Sequence, residues 1–307
     1  MSVIETSNLV KKFGTHTVVD KLNIRVEEGD IYGILGPNGA GKSTTINMIC
    51  GLLKPTSGNI SLFGKKIDKV KDFVGFVPQN IALYDEFTAY ENLKFFGSIY
   101  GIDKAELNKN IDEALEFTGL SDSRDKKAKT FSGGMMRRLN IGCALVHKPK
   151  VIIMDEPTVG IDPQSRNHIM RAIRKMNDDG ITIVYTSHYM EEIEYLCNRI
   201  SIIDHGKVIA NGTKEELKNI VTDKTVLNVK VLNTSDINTE KISTVKGVLS
   251  VNQNDNQISI TSEKGVNNFN QVMSLILETG LQVIDIGYSE VTLESVFLAL
   301  TGRALRE

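Results

Sequence analysis

Along the first sixty residues, apolar and polar positions alternate in short runs. "VIETSNLV" and "TVVDKLNIRV" place apolar side chains at nearly every second position, the period of a strand with one covered face. "IYGILG" is almost continuously apolar, as expected of a strand covered on both faces. A helix is predicted from Ser43 to about Leu52. "SGNISLFG" and "FVGFVPQ", bounded by glycine and proline, predict two further strands. From about residue 85 to 147 apolar residues recur three and four apart: Leu93, Phe96 and Tyr100, then Ile111, Leu115 and Phe117. Between Lys150 and Asn211 the two textures alternate, in "VIIM", "HIMRAIRKMN", "ITIVYTS", "MEEIEYLC", "RISIID" and "KVIANG". Such alternation predicts a mostly parallel sheet covered by helices, with the 85–147 block as a helical insertion into that α/β core.

After "KEELKNIVTDK" the pattern changes. "VLNVKVLN" is strand-like, and "TSDINTEKISTVKG" is a weak helix poor in helix formers. "VLSVNQNDNQISIT" reads as two strands around an Asn/Asp turn. "NNFNQVMSLILETG" is an amphipathic helix with Phe269, Val272, Met273 and Ile276 on one face, "LQVIDIGY" is a strand, and "TLESVFLALTG" is a closing helix. The order β-α-β-β-α-β is that of a ferredoxin-like split unit. The expected division is therefore a main domain over 1–222 and a ferredoxin-like accessory domain over 223–307.

Composition narrows the reading. The 307 residues are 41% hydrophobic and 24% charged, enough for a sizeable core. A net charge of -2 gives no global field favouring nucleic acid or anionic lipid. Cys50, Cys143 and Cys197 form no CxxC pair and sit in apolar segments, which predicts buried, reduced thiols and a cytosolic compartment. The N-terminus lacks an apolar signal core, and no apolar run approaches the ~18 residues of a spanning helix. Any membrane role requires a partner that supplies the membrane part.

Six places carry chemistry. In "GPNGAGKST" the residues Gly36, Pro37, Asn38, Gly39, Ala40, Gly41, Lys42, Ser43 and Thr44 fit GxxxxGK[ST], placed after a strand and before a helix. Glycines let backbone N–H groups wrap phosphates, Lys42 reaches the β- and γ-phosphates, and Ser43 is a Mg²⁺ ligand candidate; a glycine-rich structural turn is the plain alternative. "VIIMDEPT" is a buried-strand run ending in Asp155, a candidate for the metal, and Glu156, placed to polarise an attacking water. Gln79 and His188 each follow another strand end; Gln79 is a candidate for Mg²⁺ or the water. Phe13, in "KKFG", either packs in the core or stacks on an adenine ring. Finally, "KTFSGGMMRRLN" opens a basic helical pattern with Ser132, Gly133 and Gly134, a second anion-binding helix start without a second lysine-bearing loop. A symmetric pair of chains resolves the duplication, each phosphate loop meeting the other chain's serine-glycine loop across a twofold axis.

Phosphate loop, Gln79, "FSGGM", "VIIMDEP", "VGID" and His188, in this order, resemble the ATP-binding-cassette ATPases over residues 1 to about 222. The resemblance implies a P-loop NTPase (RecA-like) core with an antiparallel β subdomain and a helical insertion, ATP and Mg²⁺ as cofactors, and ATP hydrolysis. It implies that Glu156 is the base, His188 the switch histidine, Val159–Asp162 the dimer-facing loop and "FSGGM" the signature loop that binds the other subunit's ATP. Phe131 and Met135 depart from the usual LSGGQ, and Met135 offers no amide. "SGGM" followed by two basic residues, "TVGIDPQSR" and the tail "TLESVFLALTGRALRE" are similar to the drug and polypeptide exporter branch. The implied partners are a second copy or related ATPase subunit and an integral-membrane permease, at the cytoplasmic face of the cell membrane. A soluble ATPase acting on nucleic acid or ribosomes is the alternative; one cassette, no heptads and no basic stripe count against it. A small-molecule sensor role for the C-terminal unit is a third reading that fold alone does not decide.

Overall fold

The computed structural model describes residues 1–221, 224–232, 239–254, 256–279, 281–289 and 292–301. They form two compact units, the first containing Met1–Lys214 and the second beginning at Glu215. The first starts with β1 (Ser2–Phe13) and β2 (His16–Glu27), then β3 (Ile31–Leu35), α1 (Lys42–Ile49), β4 (Ser57–Leu62) and β5 (Val74–Val77). The two long strands and β4 make a three-stranded antiparallel sheet in the order β2-β1-β4.

The helical insertion consists of α2 (Ala89–Ser98), α3 (Lys104–Phe117) and α4 (Gly133–Leu145), with short turns between α3 and α4. Thr88 caps α2 in a reciprocal capping box with Glu91, and Asp103 caps α3. Leu93, Ile111 and Leu115 are fully buried in its core with Leu107 and Leu139. Gly97 is where α2 meets α3: a Cβ there would lie 2.3 Å from Leu107 Cδ1, so even a methyl would force the Leu107 side chain to shift.

Next come β6 (Val151–Asp155), α5 (Pro163–Asp178), β7 (Thr182–Ser187), α6 (Met190–Leu196), β8 (Arg199–Asp204) and β9 (Lys207–Thr213). They complete a six-stranded sheet in the order β5-β6-β7-β3-β8-β9. The first five are parallel, and β9 returns antiparallel after His205 and Gly206, both at positive φ as a tight hairpin turn requires. Every residue of β3, β6 and β7 is buried, which explains the apolar runs IYGIL, VIIM and IVY within them. The main core lies between the two sheets: Leu9, Ile24 and Val26 pack with Ile34, Ile153 and the α1 residues Ile46 and Ile49. Each such side chain contributes roughly 1.5–3 kcal/mol by leaving water. Cys143 and Cys197 are buried and Cys50 half-buried, all as free thiols.

After α7 (Lys214–Val221) the second unit runs β10 (Lys224–Val231), α8 (Thr239–Ser243), β11 (Val248–Asn254), β12 (Gln257–Glu263), α9 (Phe269–Glu278), β13 (Val283–Ser289) and α10 (Leu293–Thr301). Its antiparallel sheet has the order β11-β12-β10-β13, the ferredoxin-like arrangement. Val272, Met273 and Ile276 of α9 are buried against Val229, Ile258 and Ile260, with Phe269 partly buried beside them. Residues 233–238 of the weakly helical stretch, Asp255 of the Asn/Asp turn and the tail 302–307 lie outside the described residues. Among the described residues no helix is long and apolar enough to cross a membrane.

Candidate functional site

The strand order of the six-stranded sheet assembles the site. β5, β6, β7 and β3 are parallel neighbours, so their carboxyl ends share one edge. Gln79 follows β5, Asp155 ends β6 with Glu156 next, His188 follows β7, and the loop Gly36–Gly41 follows β3. Residues as far apart as Gly36 and His188 thus stand in a row at the crevice where open α/β sheets bind ligands.

The loop after β3 is shaped by close approach. A Cβ on Gly36 would lie 2.3 Å from the Ile203 carbonyl oxygen, and Gly41, at φ +100, would place one 2.8 Å from that of Val18. Gly39, at φ +81, faces open space. The first ladder bond of α1 runs from Thr45 N–H to the Gly41 carbonyl, so the N–H groups of Lys42, Ser43 and Thr44 crown an open helix end. Lys42 curls back into the loop. Its ammonium donates to the carbonyls of Gly36 (2.8 Å) and Pro37 (3.2 Å) and lies 3.3 Å from Glu156 Oε1.

Glu156 is the centre of the row. It is 4% exposed and adopts φ +46, a conformation that costs a non-glycine residue on the order of 1–3 kcal/mol. Its backbone N–H donates to Thr186 Oγ1 (2.9 Å), and the same hydroxyl donates to Asp155 Oδ1 (2.7 Å). Gln79 Nε2 donates to Glu156 Oε2 (3.1 Å). His188 Nδ1 lies 3.3 Å from that oxygen, in ion-pair range, yet is buried without an aligned hydrogen bond. One carboxylate is therefore shared by an ammonium, an amide and an imidazole, each from a different strand end.

Ser132, Gly133 and Gly134 stand outside this row. Ser132 caps α4, its hydroxyl accepting from Met135 N–H. Gly134 packs on the start of α5, where a Cβ would meet Ser165 Oγ at 2.2 Å, whereas a Cβ on Gly133 would meet nothing within 4 Å. Ser165 N–H is in turn held by the α5 cap Asp162, whose carboxyl is kept below the usual range by hydrogen bonding from the Ser165 side chain and then from its backbone. Phe13 also lies outside the row, at the β1–β2 turn; it is 51% exposed, with the Lys11 ammonium 4.9 Å over its ring.

Two residues of the neighbourhood escape a reading of motifs. Thr186 orients Asp155 and Glu156 together; its signal is a polar "TS" ending an apolar strand. Arg137 belongs to the basic helical pattern after "FSGG", but it is 5% exposed and not a solvated face. Its guanidinium donates to the carbonyls of Pro78 (3.0 Å) and Gln79 (2.7 Å), tying α4 to the strand end that carries the Gln79 amide. Burial pulls its pKa down from the usual arginine value.

The donors present fit a polyphosphate: a buried ammonium, an open helix end, and an imidazole nitrogen without an aligned hydrogen bond. Ser43, Asp155 and Gln79 offer hard oxygen atoms, and no cluster of three or more His, Cys, Asp or Glu that could cage a metal exists among the described residues. That sparse set suits Mg²⁺, which keeps several waters and shares phosphate oxygens.

Residues 19–159 match the family model for ABC transporters. The chain is similar to the linearmycin resistance ATP-binding protein LnrL of Bacillus subtilis (strain 168), 44% identical over 99% of this chain and 100% of that one. It is 36% identical to the daunorubicin/doxorubicin resistance ATP-binding protein DrrA of Streptomyces peucetius, over 97% of this chain and 92% of that one. Among solved structures, an ATP-binding subunit of an ABC transporter superposes with a TM-score of 0.65 and 28% identity, covering 71% of this chain and 92% of the other.

Proposed function

The chain belongs to the ABC transporter family, as an ATP-binding and ATP-hydrolysing subunit of the drug-resistance and export type, and we propose that two such subunits close on two ATP molecules to drive a separate permease. The observation that carries this reading is the Glu156 carboxylate, gripped by Lys42 and Gln79 and approached by His188. The loop Gly36–Gly41, Lys42, Ser43 and Thr44 bind the phosphates, and Ser43, Gln79 and Asp155 hold Mg²⁺. When bound, ATP supplies the phosphoryl group to be transferred to water and Mg²⁺ neutralises charge on its oxygens. Lys42 exchanges the Gly36 and Pro37 carbonyls and Glu156 for phosphate oxygens. Glu156, released, accepts the proton of the attacking water, and His188 and Gln79 hold it in place. Ser132, Gly133 and the α4 start face the other subunit's nucleotide, and Phe13 stacks on the adenine.

A cleft of about 260 Å³, lined by Cys50, Ile67, Phe76, Phe96, Tyr100 and Asn140 among others, lies where the helical insertion meets the core. It is the proposed seat of a permease segment, which supports a position at the cytoplasmic face of a membrane. The cargo, by analogy with the relatives' names, is an antibiotic-type molecule selected by the permease.

Glu156→Gln tests the reading. Turnover falls at least a hundredfold while ATP affinity stays, and ATP traps a dimer visible by size-exclusion chromatography. Near-normal hydrolysis would remove Glu156 from the role of base.

A further inference from the structure

Behind the catalytic row lies a second, fully buried carboxylate. Glu192, on α6, is 1% exposed. A single oxygen, Oε2, accepts three hydroxyls: Tyr185 (2.8 Å), Ser187 (2.8 Å) and Thr158 (2.9 Å). The other oxygen is held by charge alone, 2.8 Å from Arg166 Nε on α5 but without an aligned hydrogen bond. A carboxylate, with four acceptor positions and a charge, is the side chain that can satisfy such a set. Burial, with this carboxylate alongside, holds the Tyr185 phenol well above its usual range, so that hydroxyl remains a donor.

The donors are not scattered. Thr158 is two residues past Glu156, and Arg166 lies just past the stretch Val159–Asp162. Tyr185 and Ser187 are on β7, and Ser187 Oγ also accepts the Tyr189 N–H (2.9 Å), so the two residues bracketing His188 are tied together. The Arg166 guanidinium stacks 4.4 Å over the Tyr189 ring, which itself lies 4.1 Å from the His188 ring. Every route from this carboxylate leads to the segment carrying Glu156 or to the one carrying His188.

We propose that Glu192 is a positioning residue that clamps the segments of Glu156 and His188 into one body, so that the imidazole and the base keep their register when a partner subunit closes. It touches neither nucleotide nor water itself. The inference rests on the proposed roles of Glu156 and His188. It differs from the bland reading, a satisfied core carboxylate, in where its loss is felt. A core carboxylate sets stability alone. A clamp sets kcat and the surroundings of His188, and acts less on the phosphate loop, none of whose residues is among the polar partners of Glu192.

The test is Glu192→Gln in the full chain, which keeps the shape but turns an amide N–H₂ toward Arg166 or toward the three hydroxyls. Expected results are kcat for ATP at least tenfold lower, KM within threefold, and a displaced imidazole ¹⁵N signal for His188 while the other four of the five histidines stay in place. Tyr185→Phe, which removes one donor and keeps the ring in the core, serves as the milder variant and decides the matter if the first fails to fold. It shows about threefold lower kcat with KM unchanged. Turnover within twofold of wild type in a folded variant overturns the inference, as does a stationary His188 signal or a loss confined to KM. The imidazole signal is read without ATP, so it stands independently of Glu156: an active Glu156→Gln sinks the base, an unmoved His188 sinks the clamp.

Discussion

Gly133 and Gly134 are neighbours with opposite reasons to be glycine. A methyl on Gly134 would collide with Ser165 inside the subunit. Gly134→Ala should therefore lower the melting temperature, because the start of α4 must retreat from α5. Gly133 has open space around its Cα and no positive φ, so alanine fits the lone subunit and suits a helix better. Its cost, if the loop meets another subunit's phosphate, appears on closure. Gly133→Ala is expected to melt at or slightly above the wild-type temperature while ATP turnover falls at least tenfold. Scanning fluorimetry and a phosphate-release assay check both, and unchanged turnover in Gly133→Ala would argue against phosphate contact there. The two glycines are equal in the sequence; only the packing of α5 separates them.

At the scale of elements, the hydrophobic pattern carries most of the fold. Apolar runs mark the middles of β3, β6 and β7 because both of their faces are buried, and the three- and four-residue spacing marks α2 and α3. The glycine-lysine loop and the strand-end residues are legible too, since their spacing is local. Illegible is what depends on tertiary contact. Thr186 looks like any strand threonine, and Arg137 looks like a surface base until α4 packs on the end of β5. A buried guanidinium without a carboxylate is expensive, so removing it need not destabilise. Arg137→Met should leave the melting temperature within a few degrees but lower kcat about tenfold, since the Pro78 and Gln79 carbonyls lose their anchor and the Gln79 amide drifts from Glu156. A large drop in melting temperature with normal kcat would make Arg137 a structural strut only.

For the whole molecule, the question is whether one chain's signature loop serves the other's nucleotide. Ser132→Arg blocks docking at that loop and Lys42→Ala disables the phosphate loop. In a mixed dimer carrying one lesion per chain, one composite site takes both and the other is intact. Purified with distinct tags, that dimer should recover part of the wild-type activity. A dimer of a doubly altered chain with wild type has one lesion in each site and should not. The reverse order, with activity only in the dimer of the doubly altered chain and wild type, would show that the loop acts within its own chain.

The order of the six-stranded sheet has a consequence in time. The strand that feeds the phosphate loop is central, and Ile31 on it waits for Ile183 and its neighbour Tyr32 for Arg199. At about 5–20 residues per second of synthesis, that wait lasts on the order of 10–30 s, to which the residues held in the ribosomal tunnel add. The three-stranded sheet and the helical insertion can close meanwhile from nearby contacts. The nascent chain thus carries its lysine loop, on an apolar strand still unpaired, long before it can grip a nucleotide, and becomes an ATP-binding protein only once β7 and β8 have been made.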